Sequence, residues 1–267
     1  MLVLNNPKSC STNYMRYFVE KCQDDSLSST ITRIEERLGK ILAKHSDKVE
    51  ICEVQRNHKS EWIFWYRQDR EYSCGDIFHE LMHLSMWIEG WPIVRADAYA
   101  TENGKTVATS LINLTHHVEI WEREKRCGFS QEMRWNGIIE NEILPTKDKY
   151  RVWNEERDGV DVERTAQNWL IQLSGALLSP ASASLGNHLR DSLQETLPWK
   201  AFLQVNAIHQ LYSEHAQGFP KALSVVLLRV ERILKLRSGF LATETFSRAD
   251  SAFFAPIGAM FSHQLNA

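Results

Sequence analysis

No uninterrupted apolar run of about 18 residues occurs in this 267-residue sequence, so it offers no membrane span. Charge of one sign is also missing. The formal net charge is -3, which advertises neither nucleic acid nor an anionic membrane as a partner. Cysteine is scarce and unpatterned: Cys10, Cys22, Cys52, Cys74 and Cys127 make an odd set of five with no C-x-x-C pair. A reduced, cytoplasmic protein explains that better than a disulfide scaffold. The opening stretch, MLVLNNPKSCSTNY, has no basic segment followed by a long apolar run, so a cleavable secretion signal is not expected. Export by a route that needs no such signal is the alternative. Neither a fixed-period repeat nor a low-complexity tract appears.

What is present is ordinary globular composition, 43% apolar and 24% charged, with room for a sizeable core. Residues 9–23 and 27–45 carry helical spacing; in the second, Leu27, Ile31, Ile34, Leu38, Ile41 and Leu42 share a face. The period then changes. VEICEVQ (49–55) and EWIFWYR (61–67) read as an antiparallel strand pair, with Trp62, Phe64 and Tyr66 on one face and Ile63 and Trp65 on the other.

A helix over 74–89 follows. Ser73 suits its N-cap, Asp76 its third position, and Gly90 and Pro92 its stop. Residues 91–107 read as a connection with a turn at Asn103-Gly104. Further helices are expected at 108–126, 130–143, 161–178, 181–196, 199–215 and 220–237, and the tail after 238 reads as a docked helix or a loop. The fold class expected is α+β and predominantly helical, with a small antiparallel sheet. Its boundary falls in the linker-like stretch 145–161, giving a core of 1–145 and a helical region of 146–267.

The 74–89 helix contains His79, Glu80 and His83 in the spacing H-E-x-x-H. Residues i and i+4 project from one helix face a turn apart, so both imidazoles can address one metal ion. Glu80 sits about 100° round the helix, within reach of a water on that metal. This composition gives about 0.03 chance occurrences of the pattern per chain, which favours chemistry over accident. Context adds to it. Ile77, Phe78, Leu81, Met82, Leu84, Met86 and Trp87 surround the motif, and a buried unpaired carboxylate is costly. The plain alternative is two core histidines satisfied by nearby acceptors.

A catalytic zinc usually takes three protein ligands. The segment 111–129 offers His116, His117, Glu119, Glu122 and Glu124. Leu111, Leu114, Val118 and Trp121 mark its core face; His117 flanks that face and ranks first, Glu119 ranks second, and His116 reads as solvated. Tyr99, Tyr150, Tyr212, His209 and His215 are available to stabilise an oxyanion, and the sequence does not choose. Strand 61–67 is either a plain buried strand or an edge to which an extended peptide could add. Cys74, five residues before His79, reads as a structural cysteine, with a metal-masking thiolate as the lesser alternative.

H-E-x-x-H on a helix after a strand pair resembles the zincin-type metallopeptidases. More narrowly, HELMHLSMWIEGWP followed by NLTHHVEIWEREKRCGF resembles a bacterial group of predicted peptidases in which a helix ends in Gly-x-Pro and an Asn-x-x-x-His segment ends in a Gly-aromatic pair. Those residues here are Gly90, Pro92, Asn113, His117, Gly128 and Phe129, and the match covers about 75–129. The resemblance implies Zn2+ held by His79, His83 and His117, Glu80 as general base, and a protein or peptide substrate. The chain departs from metzincins, lacking a histidine within ten residues after His83, and from the thermolysin kind, lacking an obvious Asn-Glu pair. Glu119 keeps a glutamate-ligand version open. A metal-stabilised regulatory protein that cleaves nothing, and a narrow-specificity toxin or effector protease, are the alternative functions.

Overall fold

The structure is a computed structural model that describes residues 14–49, 52–57, 61–69, 72–96, 102–146, 160–215, 222–236, 240–245 and 253–256. It is predominantly helical, with two small sheets among the described residues. The chain forms two compact units: residues 1–90 with 123–129, and residues 91–122 with 130–267. Most of the expected boundary at 145–161 lies outside the described residues.

The first unit opens with α1 (Met15–Cys22) and α2 (Asp25–Leu38). Asp24 starts α2 by accepting from the main-chain N–H groups of Ser26 and Leu27. Leu27, Ile31 and Ile34 are fully buried, as their spacing predicts. Helix 27–45 does not run to its expected end. Gly39 takes φ +76°, and Leu42–His45 forms β1 instead. The helical spacing of Ile41 and Leu42 is overridden because β1 pairs in parallel with β3 (Trp62–Tyr66), Leu42 opposite Ile63 and His45 opposite Tyr66. On the other side of β3, β2 (Cys52–Arg56) pairs antiparallel, as expected, with Val54 opposite Phe64. The sheet is therefore mixed rather than antiparallel, in the order β1-β3-β2. Strand β3 is central and holds no open edge, which removes the expectation that a peptide adds to it. Phe18 of α1 packs against Phe64 and Tyr66 with ring centroids 5.0 and 4.9 Å away.

Helix α3 (Cys74–Ile88) begins with both halves of a capping box: Ser73 Oγ accepts from Asp76 N–H at 3.1 Å, and Asp76 accepts from Ser73 N–H at 2.8 Å. It is buried on most of its surface. Its end is tied by Glu89, which accepts from Arg123 and Arg33 and from the buried Ser85. Burial alone would raise the Glu89 pKa. Hydrogen bonds from Arg123 and Ser85 and the two guanidinium charges outweigh that and hold it below the usual carboxylate range.

The second unit begins with β4 (Ile93–Ala96), where a connection was expected. Helix α4 (Glu102–Arg126) starts six residues earlier than its spacing suggested and takes in Asn103-Gly104. Gly104 is buried within the first turns, so packing overrides its turn propensity. Next come α5 (Glu132–Ile138), a π-helical turn (Ile139–Ile143) and α6 (Leu144–Thr146), so helical structure passes Pro145 rather than stopping before it. Helices α7 (Val160–Leu178), α8 (Ala183–Thr196), α9 (Trp199–His215) and α10 (Leu223–Ile233) follow near their expected places. They enclose a core that includes Leu111, Leu114, Ile171, Val205, Ile208, Val226 and Val230. The tail is neither helix nor loop throughout: β5 (Leu241–Thr245) and β6 (Phe253–Pro256) complete an antiparallel sheet in the order β4-β5-β6. No helix among the described residues is long and apolar enough to cross a membrane.

Candidate metal centre

From Ile77 to Trp87 the apolar residues of α3 are buried, whereas His79 and His83 stay half-buried. The two histidines lie on one face because four residues make slightly more than a turn. Their ring centroids are 5.1 Å apart. His117 of α4 completes the group: one nitrogen from each of His79, His83 and His117 lies within 4.8 Å of the others. A tetrahedral metal with bonds of 2.0–2.1 Å sets its donors about 3.4 Å apart, a spacing of the same order. Three neutral imidazoles form a donor set that a divalent transition metal accepts. Three histidines therefore fit a metal ion. Glu119 is not part of the group found among the described residues.

Glu124, one of the carboxylates that segment 111–129 offers, contacts the histidine group. It is 1% exposed, and its Oε1 accepts from His79 Nδ1–H at 2.8 Å. A carboxylate only accepts when ionised, so the contact places the proton on Nδ1 and leaves Nε2 for a metal. The signal was present in the spacing. Glu124 follows His117 by seven residues, two turns on the same helix. The turn beyond it is fixed by its own chemistry. Gly128 takes φ +81°, its N–H donates to Lys125 O at 3.2 Å, and the Phe129 N–H donates to Glu124 O at 2.8 Å. Phe129 then stacks on Phe78, beside His79, with centroids 4.7 Å apart. The Gly-aromatic pair of the sequence motif thus ends α4 and braces α3. Glu124→Ala is expected to lower metal affinity about 10- to 100-fold, read by competition with a chromogenic chelator; unchanged affinity would remove Glu124 from the site.

His116 is not solvated, contrary to its place on the helical wheel. It is 4% exposed, donates from Nε2 to Pro92 O at 3.3 Å, and meets the Trp91 ring edge-on. Burial pulls its pKa down to about 4 in spite of the Pro92 bond, which keeps the ring neutral at pH 7. The wheel assumed one buried face; α4 is buried on more than one. His117 instead lies beside Trp121, 5.6 Å between centroids, and Trp121 packs on Trp135.

Glu80 is 8% exposed, and its Oε2 accepts from the Val54 N–H of β2 at 2.7 Å. The carboxylate in the apolar run therefore has a partner that the sequence did not reveal. Of the oxyanion candidates, Tyr99 and Tyr150 lie outside the described residues. Tyr212 is fully buried and bonded to Thr115 at 2.9 Å. Asn113, one turn before His117, is exposed. Cys74 is not part of the histidine group, and burial pushes the Cys22 thiol well above its ordinary range.

Compared with known protein families, curated proteins and solved structures, the chain matches none.

Proposed function

We propose that the chain is a zinc-dependent peptidase with a zincin-like core, acting on a protein or peptide substrate. One observation carries this reading. His79 and His83 are the half-exposed positions of an otherwise buried helix stretch, a third imidazole meets them, and a carboxylate follows the first. Three histidines with one position left open form the donor set of a catalytic rather than a structural zinc. When bound, zinc supplies a Lewis acid that polarises the scissile carbonyl and makes water nucleophilic near neutral pH. The remaining work falls to the chain. Glu80 takes the proton of the attacking water and passes it to the departing amine. Glu124 fixes the tautomer and direction of the His79 ring. Trp121 packs beside His117.

The Glu80–Val54 bond favours a second reading, a metal-stabilised protein that cleaves nothing, because it gives the carboxylate structural work. Chelation separates the two. A peptidase loses cleavage of unfolded casein, or of a single band in a lysate, when zinc is stripped, and regains it when one equivalent is returned. A protein stabilised by metal melts at a lower temperature when stripped yet cleaves nothing when reloaded.

A further inference from the structure

Among the described residues, strand β2 has β3 on one side only. In an antiparallel pair, alternate residues point their N–H groups into the ladder. The Asn57 N–H donates across the hairpin to Glu61 O at 2.9 Å. By the same alternation Gln55 and Glu53 face β3, and Val54 faces away from it. That outward N–H is the group that Glu80 captures. The partnership ties two elements that share no sequence proximity, residues 54 and 80, at a distance typical of a charge-assisted bond.

Resting on the peptidase reading, we propose that the Val54 main-chain N–H is a positioning group for Glu80. It fixes one oxygen of the carboxylate and so sets how the other is presented beside His79 and His83. A glutamate has three rotatable bonds, and on the helix alone nothing selects one rotamer. A hydrogen bond from a rigid strand does select one, which is the usual requirement for a base held in productive geometry. The bond also explains how a carboxylate is tolerated in the apolar stretch from Ile77 to Trp87, since its burial is matched by a donor. His79, Glu80, His83 and Val54 all belong to the first unit, so the arrangement is internal to one compact body.

The test uses the full-length, zinc-loaded protein and acetohydroxamate, which chelates a metal and gives up a proton to a neighbouring carboxylate. Val54→Pro removes the N–H at a position where the ladder does not use it, a placement that proline tolerates at a sheet edge. Val54→Ala keeps the N–H. If proline prevents folding, an ester in place of the residue-54 amide, made with the matching hydroxy acid, removes the same donor. By calorimetry, Glu80→Gln and Val54→Pro are each expected to weaken acetohydroxamate at least 10-fold with zinc affinity unchanged. Val54→Ala should not, and Val54→Pro should add nothing in a Glu80→Gln background. A purely structural strand would give additive losses. Additivity, wild-type affinity in Val54→Pro, or wild-type affinity in Glu80→Gln overturns the proposal. The full pattern in a protein that cleaves no peptide would sustain the positioning role and defeat the peptidase reading.

Discussion

Glu80→Gln is expected to bind one equivalent of zinc as tightly as the parent protein and to cleave substrate at least 10³-fold more slowly. The amide is nearly the same size as the carboxylate, and its oxygen can still accept from the Val54 N–H at the place where Oε2 now sits. Fold and metal ligands should therefore survive. What the amide cannot do is take a proton. General-base catalysis is worth about 10²–10⁴ in rate, and 10³ corresponds to about 4 kcal/mol of barrier. Steady-state cleavage with metal content measured on the same preparation decides it. A variant that is fully loaded and cleaves at the parent rate would assign the proton transfer to another group.

The second large effect is expected at His117. His117→Ala should weaken zinc binding roughly 10²–10³-fold, because apparent zinc affinities of about 10–16 kcal/mol are shared among a handful of ligands. Glu119→Ala should leave affinity unchanged. The two residues are neighbours on α4 at half-buried positions. Only His117 brings a donor atom within 4.8 Å of the nitrogens of His79 and His83. His83→Ala provides the reference loss for a ligand from the other helix. Equal zinc affinity in His117→Ala and the parent would place the third ligand elsewhere.

The features read correctly from sequence were those written in local chemistry. Ser73 and Asp76 start α3 through bonds that span three residues, and Gly90 with φ +89° closes its end. The pairing of β2 with β3 follows from short β-branched and aromatic runs separated by a polar stretch. What sequence did not disclose depends on partners far along the chain. Strand β1 hides in helical spacing because its reason for being a strand is β3, some twenty residues later. Strands β4 and β5 are separated by the whole helical region, and neither carries a local signal for the other. His116 was misplaced because a wheel projects only one contact face, and this segment of α4 has neighbours on several sides. That His79 and His83 share a helix face was legible because four residues match one turn. Glu124 was missed because its partner lies on another helix, although its two-turn spacing from His117 was there to be measured.

Helix α4 carries both His117 and Glu124 on one unbroken rod. Seven residues advance about 10.5 Å and return to within about 20° of the starting azimuth. His117 and the carboxylate that holds the His79 ring thus share a single screw phase. Any rotation of this rod about its own axis swings both side chains together, one variable rather than two.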